Sequence, residues 1–143
     1  MIRLRVPGSL KYRDLAVRAV AAACKLVGAA DGAPPARVDR ELVDQVVSAF
    51  GEAFNNAALH SYRGLPPGDV EIELEIGATS LTIRMLDYGN SFAFDDVPTP
   101  DLDALPESGL GIYIIKSFMD EVSYVAGAPN VLRMVKRIGR DER

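Results

Sequence analysis

Three short motifs carry the residues best suited to chemistry in this sequence. Glu52 and Asn56 are four positions apart in the stretch ELVDQVVSAFGEAFNNAALHSY (residues 41–62), so on a helix they would lie one above the other. Their neighbours Ala53 and Phe54 are apolar, which is uncommon on a solvent-exposed face. A carboxamide oxygen suits Mg²⁺, and a carboxylate one turn earlier could deprotonate a hydroxyl beside that metal. Taken alone, the pair is also compatible with an ordinary solvated face.

The second and third motifs combine an aspartate or a helix start with glycines. Asp87-Tyr88-Gly89 ends a predicted strand, where the carboxylate could accept a hydrogen bond from an exocyclic amine such as that of adenine; the alternative is a plain turn. Gly109-Leu110-Gly111 precedes a predicted helix, where backbone N–H groups and the helix dipole favour phosphate. The alternative is a glycine-rich helix start without a ligand. The sequence matches neither the P-loop nor the dinucleotide-binding fingerprint.

The elements that must position these motifs follow from hydrophobic periodicity. Residues 41–62 predict one long helix with two rows. Its apolar side comprises Leu42, Val46, Val47, Phe50, Phe54 and Ala57. Its polar row comprises Asp44, Ser48, Glu52, Asn56 and His60.

The remaining chain alternates strands and helices. Apolar alternation predicts strands at 2–6, 70–76, 81–86, 121–126 and 131–138. Helices are predicted from Leu10 to Val27 and from Gly109 to Met119, with a connection at 28–37 and an acidic loop at 90–108. The inner side of the first helix is predicted to be Leu15, Ala19, Ala22, Ala23 and Leu26. The tight hairpins favour an α+β two-layer sandwich, with a mostly antiparallel sheet and helices on one face.

Length and composition limit the class of protein. The 143 residues predict a single domain spanning 1–143, with a frayed tail at 138–143. A net charge of −4 argues against nucleic acid as a direct ligand. No apolar run has membrane-spanning length and no signal peptide is recognisable. The single Cys24 lies in an apolar segment and predicts a buried, inert thiol. These features together predict a cytoplasmic protein.

The order and spacing of the three motifs resemble those of the Bergerat-fold (GHKL) ATPases, the superfamily of gyrase and histidine-kinase catalytic domains. The chain looks most like the anti-sigma-factor serine kinases of bacterial partner-switching systems. Their motif E-A-x-x-N-A-x-x-H is similar to EAFNNAALH at residues 52–60, and their Gly-x-Gly helix is similar to GLGIYIIKSFMDEV at residues 109–122. The resemblance covers nearly the whole chain.

The resemblance implies a role for each matching residue. Glu52 would be the catalytic carboxylate acting on an acceptor serine, and Asn56 the Mg²⁺ ligand. Asp87 would receive the adenine amine and Gly89 would make room for the base. The phosphates of ATP would be held by Gly109 and Gly111, with Leu110 between them, beneath a lid formed by 90–108. Asn55 could assist at the phosphates. Four residues are interpreted as structural or as lid packing: His60, Tyr62, Phe92 and Phe94.

The resemblance also implies an activity and partners. We expect an ATP- and Mg²⁺-dependent serine kinase that phosphorylates a STAS-type anti-anti-sigma protein, binds a sigma factor or analogous regulator, and forms a homodimer. Two departures favour an alternative, a nucleotide-binding interaction module without kinase activity. Asn90-Ser91 stands where the family motif often continues with x-Gly, and the predicted lid has no Lys or Arg and contains Asp95, Asp96, Asp101 and Asp103. A detached histidine-kinase catalytic domain is disfavoured by the strand and helix that precede the first motif.

Overall fold

The computed structural model of the protein describes residues 1–28, 38–92 and 107–138. Within these ranges the strands form a single sheet whose neighbours are all antiparallel, in the spatial order first, second, third, fifth, fourth. The strands are β1 (Ile2–Pro7), β2 (Asp69–Ile76), β3 (Ser80–Asp87), β4 (Glu121–Val125) and β5 (Asn130–Arg137). Most of the predicted connection (29–37), of the predicted lid (93–106) and of the predicted tail (139–143) lies outside the described residues.

The described helices cover one face of this sheet. They are α1 (Arg13–Cys24), which follows a 3-10 turn at Leu10–Tyr12, α2 (Arg40–Asn56), and α3 (Glu107–Phe118). Alternate side chains of the central strands, such as Ile72 and Ile83, are fully buried beneath them. The predicted two-layer α+β sandwich is therefore confirmed. Within the described ranges, no helix is both long and apolar enough to cross a membrane.

Helix α2 lies at the centre of the helical layer. Its start is capped by Asp39, whose carboxylate accepts a hydrogen bond from the Glu41 backbone N–H at 2.9 Å. Phe50 and Phe54, one turn apart, are fully buried with ring centroids separated by 6.3 Å. Burying each such side chain contributes about 1.5–3 kcal/mol. The predicted apolar stripe therefore fixes which side of α2 faces the sheet.

Helix α2 does not continue as a regular α-helix to Tyr62, as the sequence predicted. After Asn56 the chain forms a π-helical turn over Ala57–Ser61, in which the backbone hydrogen bonds span five residues instead of four. The polar row at four-residue spacing therefore ends at Asn56, and His60 does not continue it. Asp44 and Ser48 are exposed, as expected for the solvated part of that row.

The predicted inner side of α1 is wrong in most positions. The residues of α1 and its C-terminal extension that are buried are Ala16, Val20, Ala23, Cys24 and Val27. Leu15 and Leu26 are 56% and 43% exposed. Helix α1 has small apolar residues on several of its sides, so periodicity alone does not determine which side faces the core. Its packing against α2 determines this orientation.

Helix α3 begins at Glu107, two residues before the predicted start. Its C-terminal end is held over the sheet by Lys136, a buried residue of β5. The Lys136 ammonium donates to the Gln45 side-chain oxygen of α2 at 2.8 Å and to the Phe118 carbonyl. A cation at a helix C-terminus is electrostatically favourable, so this contact helps to set the position of α3 relative to α2.

Candidate nucleotide-binding site

Asp87 lies at the end of β3, between Val70 of β2 and Asn130 of β5. The residue is buried. Its Oδ1 atom accepts hydrogen bonds from the Gly89 backbone N–H and from Asn130 Nδ2, each at 3.0 Å. Among the described residues, no hydrogen bond reaches its Oδ2 atom. One carboxylate oxygen is therefore committed to the fold, and the other remains available to a ligand.

Asn130 organises the turn that follows Asp87. It is fully buried, and its Nδ2 also donates to the Gly89 carbonyl at 2.9 Å. Its Oδ1 accepts from the Gly127 backbone N–H at 3.0 Å and from Ser91 Oγ at 2.5 Å. Sequence reasoning did not find this residue, because its importance depends on the pairing of β3 with β5, a contact between distant parts of the chain.

Gly89 allows the end of β3 to approach the π turn. A Cβ atom at this position would overlap the backbone oxygen and carbon of Ser61. The next residue, Asn90, donates its backbone N–H to the same Ser61 carbonyl. Glycine is therefore required here for close backbone contact. The role expected from the resemblance, making room for a base, stays a prediction.

These groups surround an open pocket with about 260 Å³ of empty space. Its lining residues are Ala53, Asn56, Ala57, Ser61, Met85, Asp87, Phe92, Tyr124 and Leu132. Most of these side chains are apolar, and a few polar groups converge on the space, as is typical of small-molecule sites.

An aromatic pair forms one wall of the pocket. The rings of Phe92 and Tyr124 stack with centroids 4.6 Å apart, and the Phe92 backbone N–H donates to the Tyr124 hydroxyl at 3.3 Å. Burial raises the pKa of Tyr124. Hydrogen bonds that involve the Phe92 backbone and the Ser91 side chain partly offset this increase, and the charge of Asp87 adds to it. Tyr124 therefore stays a neutral phenol near neutral pH. Phe92 packs as the sequence predicted, whereas Phe94 lies outside the described residues.

Tyr62 connects the π turn to the strands beside the pocket. Its hydroxyl donates to the Asp69 carbonyl at 2.6 Å and accepts from the Tyr88 backbone N–H at 3.1 Å. Burial is the main cause that raises its pKa, opposed by the Tyr88 hydrogen bond, with Asp87 and Asp69 adding to the increase. These contacts agree with the structural role predicted for Tyr62.

Helices α2 and α3 bring Glu52, Asn56 and Gly111 together. A Cβ atom built on Gly111 would lie 2.9 Å from Glu52 Oε2 and 3.8 Å from Asn56 Oδ1. Glu52 is half-buried, and its carboxylate forms no hydrogen bond or ion pair with the described residues. Asn56 is buried and also lines the pocket, so it connects the Glu52–Gly111 contact to the Asp87 side of the site.

The Gly109-Leu110-Gly111 motif lies inside the first turns of α3. Gly109 and Gly111 are the third and fifth residues of the helix. The Gly109 N–H is therefore among the first four, which have no partner within the helix and favour an anion, whereas the Gly111 N–H follows them. Leu110 is 39% exposed. The side chains of Glu107 and Ser108 lie outside the described part of the protein.

Two residues near these motifs are committed to structural contacts. Asn55 Oδ1 accepts from Arg13 Nε at 2.9 Å, so the carboxamide that was considered for a phosphate contact is bonded to α1. His60 is half-buried, and its Nδ1 lies 2.8 Å from an Arg63 guanidinium nitrogen. This agrees with the prediction of a hydrogen-bonded structural histidine.

The donor set at the α2–α3 contact suits Mg²⁺. Within the described ranges, no group of three or more His, Cys, Asp or Glu side chains could hold a metal by itself. Glu52 and Asn56 do offer a carboxylate and a carboxamide oxygen at one place. Mg²⁺ is usually held by one or two protein oxygens, substrate phosphates and water, so these two residues fit that ion.

The fold and the arrangement of the motifs define a class of ATP-binding protein. The model of the family described as "Histidine kinase-like ATPase domain" matches residues 14–136, and the chain belongs to this family. A solved structure of the Acinetobacter baumannii histidine kinase AdeS has a TM-score of 0.54 and 19% identity, covering 98% of this chain and 70% of that chain. This likeness supports the fold alone.

Within that family, the chain is similar to the serine-protein kinase RsbW of several bacteria. It is 29% identical to RsbW of Bacillus velezensis over 102 residues, which are 66% of this chain and 64% of the relative. It is 28% identical to RsbW of Staphylococcus aureus strain JH9, over 99% of this chain and 89% of the relative. The match thus spans less than two thirds of the Bacillus kinase and most of the Staphylococcus kinase. The resemblance to this family predicted from the sequence is confirmed.

Proposed function

We propose that this protein is an ATP- and Mg²⁺-dependent serine kinase acting in the cytoplasm. The observation that carries the proposal is the contact between α2 and α3, where Gly111 faces Glu52 and Asn56. The same Asn56 lines the pocket that contains Asp87. A base bound beside Asp87 would therefore lie on one side of Asn56, and the phosphates would reach the N-terminal turns of α3 on the other.

The resemblance to the anti-sigma-factor kinases gives each residue a role that its surroundings allow. Asp87 Oδ2 would accept a hydrogen bond from the exocyclic amine of adenine. The N–H groups at the start of α3 would donate to phosphate oxygens. Glu52 would accept the proton from the acceptor serine hydroxyl, whose oxygen bonds to the γ-phosphorus as the bond to ADP breaks. Asn56 would hold Mg²⁺, and the ion would neutralise charge on the phosphates.

We propose a partner-switching role from the similarity to RsbW. The acceptor would be the serine of a STAS-type antagonist, and the kinase would also bind a sigma factor or analogous regulator, as a homodimer. The proposal requires positioning of the acceptor hydroxyl near Glu52, which is half-buried and not engaged by described side chains. Positioning and charge stabilisation account for most of the catalysis in phosphoryl transfer.

Phosphotransfer from labelled ATP to a STAS-domain protein encoded in the same genome tests the kinase proposal. Glu52→Gln retains the shape of the side chain and removes the base, so we expect transfer to fall about 10²- to 10⁴-fold, with ATP affinity nearly unchanged. Asp44→Asn is the matched control, because Asp44 is an exposed acid on the same helix. Its transfer rate should equal that of the wild type.

Two results would contradict the proposal in different ways. Equal labelling by the wild type and Glu52→Gln would show that Glu52 is not the catalytic base. ATP binding without transfer to any STAS-type acceptor would favour the alternative, a nucleotide-binding interaction module. The absence of any nucleotide binding would refute both functions.

A further inference from the structure

We infer that Ser61 is a specificity-determining residue of this pocket, and that its hydroxyl donates a hydrogen bond to a ring nitrogen of adenine. The inference rests on the proposed function, because it names an additional contact to the base. Ser61 is 1% exposed and lines the pocket together with Asn56 and Asp87. Its Oγ atom is buried and has no hydrogen-bond partner among the described residues.

A buried hydroxyl without a partner is uncommon in a folded protein. Most buried polar side-chain atoms are hydrogen-bonded, and an exception needs a specific explanation. The Ser61 backbone carbonyl has a partner, since it accepts the Asn90 N–H. The unsatisfied group is the side-chain hydroxyl, which is expected if that hydroxyl binds a ligand.

The π turn explains how Ser61 reaches the pocket. In a regular α-helix, residues five positions apart point in directions about 140° from one another. In a π turn, hydrogen bonds join residues five apart, so Ser61 is brought towards the same side as Asn56. Both residues line the pocket. The π turn thus adds the Ser61 hydroxyl to the pocket wall, and an uninterrupted α-helix would not place it there.

The hydrogen-bonding properties of Asp87 Oδ2 and of the Ser61 hydroxyl determine which edge of a base they can bind. Asp87 Oδ2 can only accept, so it requires a donor such as an exocyclic amine. The Ser61 hydroxyl can donate to an acceptor beside that amine. Adenine offers this combination, with ring nitrogens N1 and N7 on either side of its amine. Guanine would instead present its O6 acceptor to the carboxylate, which is unfavourable.

Removal of the hydroxyl should have opposite effects on nucleotide affinity and on the stability of the free protein. For Ser61→Ala we expect about three- to tenfold weaker ATP binding by calorimetry. The nucleotide-free variant should melt about 2–5 °C higher, because an unsatisfied buried polar group is lost. A purely structural hydrogen bond would instead lower the melting temperature when removed. Ser48→Ala, at an exposed position of α2, should leave ATP affinity unchanged and gives the change in melting temperature that comes from helix propensity alone; the increase for Ser61→Ala should exceed it.

Base analogues identify the contacted atom. The 1-deaza and 7-deaza analogues of ATP each replace one ring nitrogen by carbon, and one of them should bind the wild type several-fold more weakly than ATP does. That penalty should vanish in Ser61→Ala. If the wild type binds ATP and Ser61→Ala binds it equally tightly, or keeps the analogue penalty, the role of Ser61 is refuted while the proposed function stands. If the wild type binds no nucleotide, the proposed function is itself refuted.

Discussion

Substituting Gly111 by alanine should separate folding from catalysis at the α2–α3 contact. The new Cβ atom would lie 2.9 Å from Glu52 Oε2, whereas ordinary contacts begin at 3.4 Å. The carboxylate would therefore have to move by about 0.5 Å or more. Glu52 has a flexible side chain and no partner among the described residues, so this movement is energetically inexpensive for the fold.

Gly111→Ala should keep or increase the stability of the fold and should decrease the rate of phosphotransfer. Replacing a glycine inside a helix by alanine stabilises it by up to about 1 kcal/mol, so the melting temperature should be unchanged or higher. A displacement of the Glu52 carboxylate by about this distance should slow phosphotransfer by about 10- to 100-fold. This corresponds to about 1.4–2.7 kcal/mol of activation free energy.

Single-turnover transfer from ATP to the STAS-type acceptor, measured beside thermal unfolding, checks this prediction. Ser117→Ala, on an exposed position of α3, controls for changes in helix propensity alone. A Gly111→Ala protein that transfers phosphate at the wild-type rate would refute the reasoning, because the geometry requires displacement of Glu52. A protein that fails to fold would also contradict it.

Two further predictions concern buried groups. Asn130→Ala should lower the free energy of unfolding by about 2–4 kcal/mol, because it leaves the Gly127 N–H and the Gly89 carbonyl unsatisfied and removes a donor to Asp87; urea unfolding measures this loss, and ATP affinity should fall with it. Burial raises the pKa of the Cys24 thiol from 9.0 to about 11, so the folded state keeps its proton where the unfolded state loses it. Stability from this group is therefore fully present below pH 9 and is lost as pH rises towards 11, by about 2 kcal/mol at pH 10.5.

Comparison of each variant with the wild type isolates the contribution of Cys24 and that of Asn130 to stability. The stability difference between wild type and Cys24→Ala should shrink by that amount between pH 8 and pH 10.5, since other titrating groups are common to both proteins. A constant difference would show that the thiol titrates alike in both states. For Asn130, an unfolding free energy within 0.5 kcal/mol of the wild type would contradict the hydrogen-bond argument, since surface substitutions are usually within about that limit.

Several features of the fold were predictable because they depend on neighbouring residues. The alternation in β2 placed Ile72 and Leu74 on the buried face. The wide apolar stripe of α2 placed Phe50 and Phe54 in the core. In both elements the difference between the apolar and polar sides is large, so only one orientation buries the apolar side chains. Helix α1 lacks that contrast, and its packing could not be read from periodicity.

By itself, the sequence determined the three motifs, the strands and helices that carry them, and the α+β class, because these follow from residue types at short spacing. Only the tertiary structure decided how the motifs meet. The pairing of Asp87 with Asn130 and the approach of Gly111 to Glu52 join residues far apart in the chain. The π turn that carries Ser61 interrupts a pattern that predicts an α-helix. Such features arise from the combined packing of several elements, so no local pattern specifies them.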